Sequence, residues 1–271
     1  MKRILALLSL GLLSALPAAG QIIATAVNGN SITITISRPG GLSVDLILGF
    51  EDVTGLSLES LGLSAQVVNP LDPALRARLP GASIALPLLL RIEPPVSGPL
   101  SFRGLAGLDI HTANLQYIIG SPLRLFTAPV GGPFEDMTVG LGAGSYRARG
   151  TTGGFSEFLI VADLRPVNQV ITTKFDRLED ELDEYAAEMP AALYADLSAR
   201  LAAARADFVQ GATLQAIQKV DGFIAVVQQH SGTEIPDVWR SARDVDNVAG
   251  YLRAGAMTLR YSLGLKGGLG L

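Results

Sequence analysis

The sequence contains no cysteine, and the residues whose types and spacing could do chemistry are two histidines, several carboxylates and the hydroxyl groups. Thiolate nucleophiles, thiolate zinc ligands and a disulfide framework are excluded together. His111 lies in Asp109-Ile-His-Thr, and the period of two along a strand puts Asp109 and His111 on one face. Such an Asp–His pair can activate a serine or a water. A surface turn at a strand end accounts for the pair more simply, and no Gly-x-Ser-x-Gly elbow supplies a nucleophile. His230 ends a helical stretch, where the helix dipole favours a cation, so capping suffices for it.

Two acidic pairs, Glu51-Asp52 and Glu135-Asp136, could flank a glycosidic bond or bind calcium. Solvation at loop tips is the ordinary role of such pairs. Glycine is abundant, at 30 residues, but no phosphate loop or dinucleotide fingerprint leads from a strand into a helix. Two isolated histidines do not make a zinc site. The single tryptophan stands apart: Trp239 has Arg240 and Arg243 beside it, and an aromatic flanked by guanidinium groups can stack on a sugar or anchor a protein partner. The alternative, which we favour, is that Trp239 plugs the end of a helical bundle while Asp244 caps the last helix. The expectation is therefore a non-enzymatic protein with no catalytic residues, no metal ligands and no cofactor, and Trp239, Arg240 and Arg243 are its candidate binding residues.

Two kinds of periodicity divide the elements that must position these residues. Up to about Arg165 the chain reads as short strands cut by glycine and proline turns. Ser31–Ser37 alternates isoleucine with hydroxyl residues, which places Ile32, Ile34 and Ile36 on one buried face. Leu42–Phe50 repeats the pattern, and Phe155–Val161 is an apolar run suited to a strand buried in the middle of a sandwich. Further strands are expected at Ser64–Val68, Ala85–Ile92, Gly107–Ile110, Leu115–Ile119, Leu123–Phe126 and Ser145–Arg149, with a helical turn within Leu71–Arg78. From Pro166 the period becomes helical. Ile171, Phe175, Leu178, Leu182, Tyr185 and Met189 form one stripe, and the acidic residues around it, Glu181 among them, read as a solvated face. Leu193, Leu197, Leu201, Ala204 and Phe208 mark a second helix. A third runs over Thr213–His230 with Thr213 as cap and Leu214, Ile217, Val220, Ile224 and Val227 inward. The last, from Asp244, has Val245, Val248, Leu252, Ala256, Leu259 and Leu263 inward.

Residues 1–20 have the layout of a cleaved signal peptide: basic Lys2-Arg3, an apolar run from Ile4 to Leu16, and small residues before Gln21. That run of 13 residues is shorter than the roughly 18–20 needed to span a bilayer. Cleavage near Gly20/Gln21 would make the protein secreted or periplasmic, with no transmembrane segment afterwards. The formal charge of −4 argues against nucleic acid as a partner. The organisation expected is a signal peptide (1–20), an antiparallel β-sandwich (21–165), an antiparallel helical bundle (166–265) and a glycine-rich tail (266–271).

Resemblances add to this reading. Tyr117, Ser121–Phe126, Gly144-Ser145-Tyr146 and Gly154–Phe158 resemble the closing strands of immunoglobulin-like sandwiches on secreted bacterial proteins, which implies that fold and no particular activity. Leu197, Leu201, Ala204, Gly211, Ala216-Ile217, Phe223-Ile224, Val227, Gly232 and Ile235 resemble the FIMAH domain, a helical module appended to secreted and surface proteins. That resemblance implies an accessory interaction module. The family usually has a lysine just after the Gly232 position; here Thr233-Glu234 follows, so no ligand contact is carried over from it. The whole chain resembles an uncharacterised family of secreted bacterial proteins. We thus expect an exported binding or envelope-associated module for an unknown protein or glycan. The alternatives are a secreted hydrolase using carboxylates in sandwich loops, and a structural protein docking on another exported chain.

Overall fold

A computed structural model describes residues 21–38, 41–79, 81–116, 118, 120–142 and 145–268. The expected signal peptide and the last residues of the tail lie outside them, as do Tyr117 and Gly144. The chain runs through β1 (Gln21–Asn28), β2 (Ser31–Arg38), β3 (Leu42–Thr54), α1 (Leu58–Leu61), β4 (Leu63–Val67), α2 (Pro73–Ala77), β5 (Ala82–Ile84), β6 (Leu88–Ile92) and β7 (Ser101–Gln116). It continues with β8 (Leu123–Ala128), β9 (Glu135–Asp136), β10 (Thr138–Gly142), β11 (Ser145–Thr152) and β12 (Glu157–Asp163). Then come α3 (Val167–Glu184), α4 (Ala191–Val209), α5 (Thr213–His230), β13 (Val238–Arg240) and α6 (Val248–Lys266).

The strands form two antiparallel sheets. One has the order β1-β2-β3-β7-β11-β10, with β13 also paired to β7; the other has β4-β6-β12-β8-β9, with β5 beside β12. Ile32, Ile34 and Ile36 of β2 are buried together with Val44, Leu46 and Leu48 of β3, and they share a core with Leu88, Leu90, Leu125, Phe158 and Ile160 of the second sheet. The far face of the second sheet is also covered: Leu89, Phe126, Leu159 and Val161 pack with Leu75 and Leu79 around α2. β12 is therefore buried on both faces, which is why its sequence is a continuous apolar run.

Helices α3 to α6 build their own core around Phe175, Leu178, Leu197, Leu201, Val220, Phe223, Leu252 and Leu259. In α5 the inward positions include Ala216 and Phe223, whereas Leu214 is exposed and Ile224 only half-buried. Ala212 stands at the N-cap position of that helix without a side-chain bond, so Thr213 does not cap it. α6 begins at Val248, later than expected, with the Asn247 side chain accepting from the Gly250 amide; Asp244 pairs with Arg240 instead. One side of α6 serves the helical core. The other lies against β7, β10 and β11, so most of its turns are buried all round. Close approach there requires glycine: a Cβ on Gly153 would sit 2.4 Å from the Tyr251 nitrogen. Among the described residues no helix is long and apolar enough to cross a membrane.

Candidate functional site

A cleft of about 700 Å³ lies where the second sheet's β8–β9 edge meets α3 and α6. Phe134, Pro133, Leu164, Val170 and Leu178 give it apolar walls. A smaller lobe of about 220 Å³ adjoins it, bounded by Phe155, Tyr251 and Glu181, and the two share Glu135, Arg177, Gly255 and Thr258. The junction between a sheet and packed helices is a common place for small-molecule sites, apolar with a few convergent polar groups.

The polar groups of the cleft come from three elements. Asp136, on the two-residue strand β9, is buried and accepts from Lys174 of α3 at 2.7 Å. The Lys174 ammonium also donates to Thr258 Oγ1 at 2.6 Å and Ser262 Oγ at 2.9 Å on α6. Thr258 Oγ1 in turn donates to the Thr138 carbonyl at 2.9 Å. Burial alone would raise the Asp136 carboxyl, but Lys174 and the Thr138 amide hold it below the usual carboxylate range. The ammonium's three protons thus have acceptors, and the cluster ties α3 and α6 to β9 and β10.

Glu135 pairs with Arg177, whose Nη2 lies 3.0 Å from Glu181 Oε1. Glu181 faces the seam and is not on the solvated side of α3; its side chain is 16% exposed. Burial pushes its carboxyl above the usual range, and Arg177 offsets this only in part. Oε1 accepts from Arg177, whereas Oε2 has no hydrogen-bond partner. A buried carboxylate oxygen without a donor costs stability, so Glu181 is a polar group of the cleft with capacity left for a ligand.

The other residues singled out by the sequence are scattered. Trp239 is 7% exposed and sits in the core shared by the two sheets, carried there by β13. Its indole stacks on Phe102 at 5.4 Å and meets Phe155 edge-on at 4.9 Å. It therefore plugs the sheets, and not the end of the helices. Arg240 and Arg243 stand at the surface, paired with Asp244 at 3.1 Å and Glu93 at 3.9 Å. Trp239 does not share that surface with them. Glu51 accepts a two-pronged bond from Arg253 of α6, at 2.7 and 2.9 Å, while its neighbour Asp52 is exposed. The acidic pairs are thus not loop tips: Glu51, Glu135 and Asp136 each hold a helix against a sheet. His230 pairs with Glu234. Asp109 is taken by Arg149 at 3.1 Å and Arg147 at 3.4 Å, so His111 finds different partners, Asp45 and Ser145.

Sequence reasoning passed over Glu157, Arg78, Lys174 and Arg253. The Glu157 side chain is fully buried in β12 between Arg78 and Arg91, which hold its carboxyl below the usual range against the effect of burial. Its signal was a charge at the head of an apolar strand. Among the described residues no group of three or more His, Asp or Glu side chains is placed to hold a metal ion.

Residues 8–266 match the model of a family described as a family of unknown function (DUF6689), and the chain belongs to that family. No curated protein matches the chain, and no solved structure does.

Proposed function

We propose that this member of the family is an exported binding module whose ligand occupies the two-lobed cleft between the β8–β9 edge and α3 and α6. The observation that carries the reading is Glu181, a buried carboxyl with one oxygen unpartnered at the edge of an apolar cavity. The ligand class follows from the lining: a small molecule with an apolar body for the larger lobe and an amine or other strong donor for Glu181. Natural proteins keep such a destabilising group where it serves a function.

Export rests on the leader pattern of residues 1–20, with removal near Gly20/Gln21 and a secreted or periplasmic product. In the finer description we favour, the two sheets are an immunoglobulin-like sandwich and helices α3 to α6 a FIMAH-like antiparallel bundle. An accessory, envelope-associated role fits both resemblances. The hydrolase alternative asks for two carboxylates free to act as acid and base. Glu135 is paired with Arg177 and Asp136 with Lys174, so the cleft supports binding better than turnover.

Thermal denaturation in the presence of n-hexylamine and of n-hexanol tests the site. The amine should raise the Tm saturably and more than the alcohol, and Glu181→Gln should abolish the difference. No saturable shift with either compound, or an amine preference that survives Glu181→Gln, refutes the reading.

A further inference from the structure

A second constellation lies on the outer face of the first sheet, away from the cleft. Asp45 of β3, His111 of β7 and Ser145 of β11 stand on three neighbouring strands. Asp45 and His111 are directly opposed in the register, and His111 is opposed on its other side by Arg147, two residues along β11 from Ser145. Their neighbours Tyr146 and Ile110 belong to the core, so alternation turns Arg147 and His111 outward, and Ser145, beyond a register shift in the β7–β11 pair, is exposed.

The order of atoms matters. His111 Nδ1 lies 3.5 Å from Asp45 Oδ2, and His111 Nε2 is hydrogen-bonded to Ser145 Oγ. Asp45 is itself oriented, since the Thr35 hydroxyl donates to its Oδ1 at 2.8 Å. A carboxylate on Nδ1 holds the tautomer whose Nε2 can take a proton, and Nε2 faces a hydroxyl. The triad geometry is recognised by these roles and not by position in the chain or by fold. The ring is 31% exposed, so a reagent can reach it.

We propose that Ser145 is an activated nucleophile, with His111 as its general base and Asp45 as the group that positions His111. Ser145 Oγ attacks the carbonyl carbon of an ester while its proton passes to His111 Nε2. The ester C–O bond then breaks, and the leaving oxygen takes that proton. Water, deprotonated by the same nitrogen, releases the acid and restores the serine. Arg147 lies on the same face but is paired with Asp109, so the step makes no use of it. The open face, unlike the cleft, suits an acyl group presented on a large or extended substrate, and activated esters serve as its probes.

The purified full chain is treated with a fluorophosphonate probe, and the adduct is located by mass spectrometry. Hydrolysis of p-nitrophenyl acetate is followed in parallel. An adduct at Ser145 is expected, absent in Ser145→Ala and formed about 10²–10⁴-fold more slowly in His111→Ala, the range of general-base assistance. Asp45→Asn should slow labelling by a smaller factor, and Ser37→Ala on β2 should leave it unchanged. All four positions lie at or near the surface, so circular dichroism should match the parent. Labelling of Ser145 no faster than that of Ser37, or undiminished by His111→Ala, overturns the proposal.

Discussion

Replacing Trp239 with alanine measures how strongly the helical part of the chain is tied to the sheets. Its indole is 7% exposed among Phe102, Phe155 and Phe50, with one stacked and one edge-on partner. Truncating a buried tryptophan of this kind costs about 3–5 kcal/mol, counting the cavity left behind. The stacked and edge-on contacts place the loss toward the top of that range. For a chain of this size each kcal/mol shifts the Tm by roughly 2–4 °C, so the upper part of that range, about 4–5 kcal/mol, corresponds to a fall of about 8–20 °C in a thermal melt. Because it is the only tryptophan, intrinsic fluorescence reports on the same residue. The parent should emit at short wavelength and resist quenching by iodide, and both properties should be lost on unfolding. A red-shifted, readily quenched parent, or a Trp239→Ala melt within about 2 °C of it, would refute the placement of the indole in the core.

Two further substitutions address the cleft. Asp136→Asn removes the countercharge of buried Lys174 and should cost about 3–5 kcal/mol in urea denaturation at neutral pH. The folded Asp136 carboxyl is held below its ordinary value, so the pair's contribution is present above about pH 4 and is lost as the pH falls further through the depressed value. Glu181 behaves in the opposite sense: its folded carboxyl is raised, so the folded state binds the extra proton and stability falls as the pH rises from about 4.3 through the raised value. Glu181→Gln should therefore raise the Tm at neutral pH and flatten that part of the profile.

Periodic elements were legible in the sequence and convergent ones were not. The Ile–Thr alternation of β2 fixes its buried face with no other information, and the stripes of α3 and α4 do the same for the helical core. For α6 the stripe through Leu252, Leu259 and Leu263 shows the helix-facing side, whereas Arg253, Thr258 and Ser262 look like ordinary surface residues until a sheet lies against them. A three-residue strand has no period to read, so the change of pattern at Arg165–Pro166 marks where strands give way to helices but cannot show that Val238–Arg240 returns to pair with β7. Site geometry was hidden for a related reason. Asp109 is the acid nearest to His111 in sequence, but the β3–β7 register brings up Asp45, 66 residues away, and β11 brings up Ser145. Glu135 and Asp136 sit amid proline and glycine and resemble a loop tip, yet the edge they occupy is covered by α3.

The long sequence separation between α6 and the residues it meets bears on how the fold assembles. Arg253 reaches Glu51 across 202 residues, and Asn247 donates to the carbonyls of Gly104 and Gly153 across 143 and 94. During synthesis all the described sheet strands precede that helix, so Glu51 and Lys174 wait without the groups that complete them. Contacts this distant in sequence form late, after the entropy of closing the loop has been met. Until α6 arrives, the faces of β7, β10 and β11 that it covers have no partner from the helical part of the chain.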